Sequence, residues 1–276
     1  MEEIILLKRK ATEIRMELLK MIYEAKTGHT GGSLSNTDIL TVLYYKIMNI
    51  DPNNPNWDER DRYVQSKGHA VESYWAILAD KGFFPKEELE TFSQFNSRLI
   101  GHPNNKVPGV EMNTGALGHG LPISVGMALA AKLDGKSYRV YTLMGDGEQA
   151  EGSVWEGAMA ASQYKLDNLV AIIDRNRLQI TGSTEEVMGI EPLGDKWRSF
   201  GWEVVEVDGN DIEQLVDVLS NTPATSGKPT MIIANTVKGK GISIAENQVG
   251  WHHRVPTKEE YEEAIKELSQ QLEVLV

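Results

Sequence analysis

The feature that most constrains this chain is a strand–helix alternation in its second half. Four short runs rich in β-branched and other apolar residues recur, at Arg139–Met144, Leu169–Asp174, Trp202–Val207 and Thr230–Thr236. Helical segments at roughly 149–164, 193–200 and 211–220 separate them. Parallel strands cannot be joined by tight turns, so each strand needs a crossover, and the crossover helices must cover the sheet faces. The expected class is therefore α/β: a doubly wound, mainly parallel sheet with helices on both faces. In such sheets ligands sit beyond the carboxyl ends of the strands.

The first half reads as helical. Ile14, Leu18, Ile22 and Ala25 recur at helical spacing within an amphipathic segment over 2–26. A second helix is expected through Ile39, Leu40, Leu43 and Ile47, with Ser35 or Asn36 as its cap. Short helices are expected at 71–81 and 86–95. Residues 96–120, rich in Gly, Pro and Asn, read as one long loop, and a loop of that length in a compact domain usually serves function. A small-residue apolar helix follows at Leu121–Leu133, and a last helix is expected from about Lys258 to Val274.

Composition removes several classes of function. The chain has 276 residues, 41% hydrophobic and 25% charged, which suffices for a substantial core. Its net charge is -12, and no basic stripe of the kind that grips nucleic acid occurs. Any anionic ligand must be met locally, by a metal, by helix N-termini or by a few placed side chains. The absence of cysteine excludes disulfides and thiolate chemistry. Met1–Lys10 is too charged for a signal peptide, and no apolar run approaches the roughly 18 residues of a membrane span. A soluble, cytoplasmic protein is expected.

Two motifs fall at predicted strand ends. Gly145-Asp146-Gly147 follows the strand ending at Met144, and Asp174-Arg175-Asn176 follows the strand ending near Ile173. Hard divalent cations take oxygen ligands, so an Asp146 carboxylate and an Asn176 amide oxygen would leave room for phosphate oxygens and water. The flanking glycines permit a tight turn and close approach of phosphate, and a helix starting near Gln149 would aim its N–H groups at the anion. Gly-Asp-Gly alone is more often a plain turn; the second strand end, 30 positions on (176 − 146), makes the pair informative. Gly135-Lys136-Ser137 lacks the leading glycine of a P-loop, since position 130 is Ala.

Six histidines are present, and His29, His69, His102 and His119 each follow a glycine; His252 and His253 are adjacent. Imidazoles on loops can donate to phosphate or sugar hydroxyls and move protons near neutral pH. A zinc cluster is the rival reading, although no pair has metal-motif spacing.

Together these residues resemble the transketolase family. Gly145-Asp146-Gly147 with Asn176 is similar to the thiamine-diphosphate signature of that family. Ala25-Lys26-Thr27-Gly28-His29, Ser66-Lys67-Gly68-His69-Ala70, Gly101-His102-Pro103, Thr114 through Gly120 and Gly145 through Glu156 resemble its other motifs, in order along nearly the whole chain. The resemblance implies a thiamine-diphosphate-binding fold, here the diphosphate domain spanning 1–276. It implies that Asp146, Asn176 and the carbonyl of Leu178 hold magnesium, with calcium or manganese also suited to oxygen ligands. Gly147 and His69 would contact the diphosphate, as would His252. Gly115 and Leu117 would line the pyrimidine or thiazole region. His29, His102 and His252 would face the sugar hydroxyls and the reacting carbon. Glu151 and Glu156 match acidic residues that link two cofactor sites across a subunit interface. Thr30 stands where the family usually has proline, and His119 where it often has glutamine. In Trp251-His252-His253 either histidine could be the family's; His252 is favoured.

Full transketolases continue into a pyrimidine domain and a C-terminal domain. The expectation is therefore the N-terminal subunit of a split transketolase, transferring a two-carbon ketol unit from a ketose phosphate to an aldose phosphate with a C-terminal partner subunit, in a heterotetramer of two plus two. Alternatives are a deoxyxylulose-phosphate synthase-like chain, a split transketolase for an unusual sugar phosphate, and a non-catalytic subunit. The segment from Glu151 to Ala161, with Ala150, Val154, Ala158 and Ala161, is expected either to pack against its own copy or to be ordinary core.

Overall fold

The computed structural model describes residues 1–275. In chain order it contains α1 (Glu2–Ala25), α2 (Thr30–Ser35), α3 (Thr37–Val42), β1 (Arg62–Gln65), α4 (Glu72–Lys81), α5 (Gly120–Leu133), β2 (Val140–Gly145), α6 (Gly152–Gln163), β3 (Leu169–Arg175), α7 (Thr184–Met188), α8 (Leu193–Ser199), β4 (Glu203–Asp208), α9 (Ile212–Ser220), β5 (Thr230–Asn235) and α10 (Lys258–Val274). The sheet is five-stranded in the order β1-β2-β3-β5-β4, and every pairing is parallel. Among the described residues no helix is long and apolar enough to cross a membrane.

Both faces of the sheet are apolar, which is what a doubly wound sheet requires. Alternation along each strand sends Tyr141, Leu143, Val170, Ile172, Ile232 and Ala234 into one core with α1, α3, α4, α9 and α10. The intervening Val140, Met144, Leu169, Ala171, Ile173, Met231 and Ile233 enter a second core with α5, α6 and α8. Leu18 of α1 is fully buried in the first core, and truncation to alanine there costs about 2–5 kcal/mol. Helix α1 ends where Lys26 turns left-handed, with φ of 57°. Helix α10 starts on a full capping box between Thr257 and Glu260.

Several elements differ from the sequence reading. Strand β1 was not predicted: four residues between charged neighbours carry too little pattern, and only pairing with β2 defines them. The expected helix through Ile39–Ile47 is present as α3 and a terminal π turn over Leu43–Ile47, and α2 precedes it as a further short helix that the sequence does not predict. Neither Ser35 nor Asn36 caps α3 by its side chain; the Ser35 hydroxyl donates instead to Asp174 at 2.5 Å. Over 86–95 a short 3₁₀ stretch, Lys86–Thr91, replaces a helix. Residues 96–119 carry no strand or helix, as expected. β3 runs through Arg175, so Asp174 and Arg175 belong to the strand and not to the turn. The helix placed at 149 begins at Gly152, after a 3₁₀ turn over Gly147–Ala150.

The small-residue segment is mainly core. Val154, Ala158 and Ala161 are fully buried against α5 and β2, so they offer no face to a second copy. The exposed residues of α6 are Gly152, Glu156, Met159 and Gln163, preceded by the exposed Ala150 and Glu151.

Candidate active site

The carboxyl ends of β1, β2, β3 and β5 open on one side of the sheet. Gly145 pairs with Asp174 in register, so Asp146 and Asn176 leave adjacent strands almost level. The Arg177 backbone N–H donates to Asp146 Oδ2 at 2.5 Å, and that of Gly147 donates to Oδ1 at 2.8 Å. Burial and the neighbouring Asp174 charge push the Asp146 carboxyl above its ordinary range, opposed by the Arg177 N–H and the Arg175 guanidinium. Asn176 Oδ1 accepts from the Leu178 N–H at 3.2 Å, and its amide nitrogen donates to Ser35 and Asp174 at 3.3 and 3.4 Å.

The chemistry of this donor set fits a hard divalent cation: one carboxylate, one amide oxygen and one backbone carbonyl, all oxygen. The Leu178 carbonyl already accepts from Lys238 Nζ at 2.9 Å, and a carbonyl has a second lone pair to offer. Among the described residues no group of three His, Cys, Asp or Glu is arranged to hold a metal. A cation here would depend on Asp146, Asn176, Leu178 and the ligand's own oxygens. The N–H of Gly147 is committed to Asp146, and α6 starts only at Gly152, after the 3₁₀ turn. Gly147 itself is packed by Gln179: a Cβ there would lie 3.0 Å from the Gln179 side chain, whose buried amide nitrogen has no partner.

Two lysines missed by the sequence reading supply the local positive charge. Lys67, after β1, and Lys238, after β5, are each 2% exposed. Lys67 is ion-paired to Asp174, which also accepts from the hydroxyls of Ser35 and Thr236. Burial, then the Lys67 charge, lower Lys238 to about 8. It donates to the Leu178 carbonyl and lies 2.9 Å from His252 Nδ1, so it bridges the strand ends to the histidines. The signal for Lys67 was present in Ser66-Lys67-Gly68-His69; Lys238 had none short of the fold.

Five of the six histidines converge. The His29 ring lies 4.5 Å from His253, 5.3 Å from His69, 5.7 Å from His252 and 6.3 Å from His102, centroid to centroid. His69 and His252 stack at 5.3 Å. Burial, followed by the charges of neighbouring histidines and lysines, lowers His29 to about 4. Burial and then Lys238 lower His252 to about 3. Burial, then Lys67, holds His69 well below its ordinary value, and burial lowers His102. These rings are neutral at pH 7 and can act as hydrogen-bond donors or acceptors. His119 is exposed, turned to the Leu117 carbonyl at 3.1 Å and outside the cluster.

The cluster has a rigid frame. Glu72, fully buried at the start of α4, accepts from the His29 N–H at 2.7 Å and the Ser33 hydroxyl at 2.6 Å. Thr30, the departure from the family's proline, donates to the Arg254 carbonyl at 2.5 Å and ties α2 to the His252–His253 loop. Gly115, at φ of 134°, must be glycine, because a Cβ would stand 2.5 Å from the His102 ring. Leu117 is half-buried in the same loop. Glu148, buried and unforeseen, accepts from the Gly118 and Gly145 N–H groups at 2.8 and 3.0 Å and from Ser66, joining three loops. Burial raises its carboxyl.

Residues 7–272 match the family described as transketolase, thiamine diphosphate binding domain. The chain belongs to the transketolase family. It is 53% identical over 261 residues to an apulose-4-phosphate transketolase subunit from Phocaeicola vulgatus, covering 95% of this chain and 93% of that one. It is 43% identical over 271 residues to the 6-deoxy-6-sulfo-D-fructose transketolase subunit SqwG of Clostridium sp., covering 98% of each. A crystal structure of Campylobacter jejuni transketolase superposes with a TM-score of 0.90 at 33% identity, covering 95% of this chain and 42% of that one. The chain thus spans about two-fifths of the length of that solved transketolase. Its transketolase fold brings Asp146, Asn176, Leu178, Gly147 and the five histidines to one end of the sheet. Glu151 adjoins the glycine loop, since a Cβ on Gly118 would lie 2.6 Å from the Glu151 Cβ, and both Glu151 and Glu156 are exposed.

Proposed function

We propose that this chain is the thiamine-diphosphate half of a two-chain transketolase that moves a two-carbon ketol unit from a ketose phosphate to an aldose phosphate. The observation that carries the reading is the bridge through Lys238. It joins the Asp146–Asn176–Leu178 oxygens to a cluster of neutral histidines in a chain matched along 7–272. Bound thiamine diphosphate supplies a carbon nucleophile and an electron sink for the transferred unit.

The chain's own residues bind, orient and move protons. Asp146, Asn176 and the Leu178 carbonyl hold magnesium, and calcium or manganese would fit the same oxygens. His69 takes the diphosphate beside the turn at Gly147, with Lys67 and Lys238 supplying positive charge. Gly115 and Leu117 line the ring end of the cofactor. His102 and His252 hold hydroxyls of the donor. His29 moves a proton on the donor or acceptor oxygen: it is neutral at pH 7, and its backbone is fixed by Glu72, which limits reorganisation.

The remaining site residues belong to a C-terminal partner chain in this reading, which the names of the relatives as subunits support. Glu151 and Glu156 face that assembly, which holds two copies of each chain. A cytoplasmic setting suits a cysteine-free chain acting on sugar phosphates. The test is reconstitution. The chain alone should bind thiamine diphosphate weakly and turn over nothing, and mixing with the partner should start ketol transfer from xylulose 5-phosphate to ribose 5-phosphate. Full activity of the pure chain would overturn the two-chain reading. The two relatives are named for other sugars, so apulose 4-phosphate and 6-deoxy-6-sulfofructose belong in the same assay. Light scattering at a one-to-one mass would overturn the two-plus-two assembly.

A further inference from the structure

Arg175 is 2% exposed and ends β3 as the middle residue of the second strand-end motif. Its Nη1 contacts Asp146 Oδ2 at 3.2 Å and Thr184 Oγ1 at 2.7 Å. Its Nη2 contacts Glu185 Oε1 at 3.2 Å and Glu191 Oε1 at 2.7 Å. One face of a single guanidinium therefore meets the carboxylate of the cation site. The rest meets three residues of the segment 177–191, the same segment that presents the Leu178 carbonyl.

That segment has little else to hold it. Ile180, Val187 and Met188 are exposed, so apolar burial contributes through few side chains such as Ile190. Its other links to the site are mostly polar: the Arg177 N–H to Asp146, the Leu178 N–H to Asn176 Oδ1 and Lys238 to the Leu178 carbonyl, with Gln179 packed on Gly147. Within it, a lone bridge between Leu178 and Ser183 closes the hairpin, and the Thr184 N–H returns to the Arg177 carbonyl at 2.9 Å. Glu191 also accepts from the Leu193 N–H at 2.8 Å, which ties the guanidinium to the start of α8. Arginine keeps its charge and its planar fork while buried, so it can join four partners in a fixed geometry where a lysine could not.

We infer that Arg175 is a positioning residue that couples the order of segment 177–191 to cation binding at Asp146, Asn176 and the Leu178 carbonyl. The fork fixes which oxygen of Asp146 faces the site, and it holds the segment so that the Leu178 carbonyl stays in place. By linkage, a bound cation orders the segment, and loosening the segment weakens the cation. This inference rests on the cation-and-diphosphate reading above.

The test uses the full chain assembled with its partner at saturating thiamine diphosphate, titrated with magnesium and followed by tryptophan fluorescence. Hydrogen exchange over 177–191 is read in parallel. The double variant Glu185→Gln/Glu191→Gln alters only half-exposed side chains and keeps the fold even if Arg175→Met does not. It should raise the magnesium dissociation constant about tenfold or more, the usual effect of removing partners of metal ligands. Exchange in 177–191 should quicken and be slowed again by excess magnesium, with the ketose KM at saturating metal unchanged. Arg175→Lys, which keeps the charge and loses the fork, should fall between. Faster exchange with a magnesium constant within about twofold of the parent, or no change in either, would overturn the coupling. If the parent assembly takes up no magnesium, the cofactor reading falls first, and the coupling falls with it.

Discussion

The floor and the mouth of the site are built on different principles. The floor consists of Asp146, Asp174, Asn176, Lys67 and Lys238, all buried and bonded to one another or to backbone at the ends of parallel strands. The mouth consists of His29, His102, His252 and His253, carried by three loops far apart in sequence. Register in a parallel sheet determines the floor to a fraction of a residue. The mouth depends on fastenings such as Glu72 to His29, Thr30 to Arg254 and Gly115 against His102. The difference suggests that the floor governs whether the ligand is held at all, and the mouth governs which sugar reacts and how fast.

Asp146→Ala offers the largest way to break that division. Turnover of the assembled enzyme should fall by more than about a hundredfold, beyond the effect of losing a mere partner of a metal ligand. The metal-free variant should also melt below the parent, because it leaves the Arg177 and Gly147 N–H groups and the buried Arg175 guanidinium short of a partner. Unchanged turnover would indicate a non-catalytic subunit.

At the mouth, His29→Gln should lower kcat by about a hundredfold with the cofactor constant unaltered. A parallel loss of thiamine-diphosphate binding would show that His29 belongs to the floor. Stability should also report on the cluster. His29 and His252 have folded values depressed to about 4 and about 3 from 6.5, so the unfolded chain binds protons first. Stability on this account is present above 6.5 and declines as pH falls from there toward 4, where His29 begins to protonate in the fold. His29→Gln should make the decline shallower in an acid titration of Tm, and an unchanged slope would remove His29 as a cause.

The smallest expected effect separates the adjacent pair. His253 is exposed and touches His29 edge-on, whereas His252 stacks on His69 and meets Lys238. His252→Ala should therefore raise the ketose KM and weaken cofactor binding. His253→Ala should change KM for the sugar by about tenfold or less and leave the cofactor alone. The reverse ranking would move the assignment to His253.

Much of this organisation was legible in the chain. Four strands, α1, α10 and the Gly145-Asp146-Gly147 turn follow from local patterning, because alternation, capping and glycine preference act over a few residues. β1 escaped because its four residues become a strand only beside β2. Helix α2 escaped because its six residues carry no helical periodicity, and its links to Glu72, Arg254 and Asp174 are distant in sequence. Val154, Ala158 and Ala161 could be read as core or as interface until the sheet showed which side they occupied. Lys238, Glu72 and Glu148 were invisible for a related reason: a buried charge is recognised by its partners, and those partners lie on other elements.

By itself the sequence determined the alternating elements, the acidic and amide oxygens at two strand ends, and a set of loop histidines. Each of these is a property of residue type and spacing within one segment. Only the tertiary structure decided that Lys67 and Lys238 supply the charge, that five histidines meet while His119 does not, and that Arg175 faces both Asp146 and the segment after it. Those facts depend on strand order and on which side of the sheet each loop emerges. Long-range packing selects both, and no local pattern encodes either.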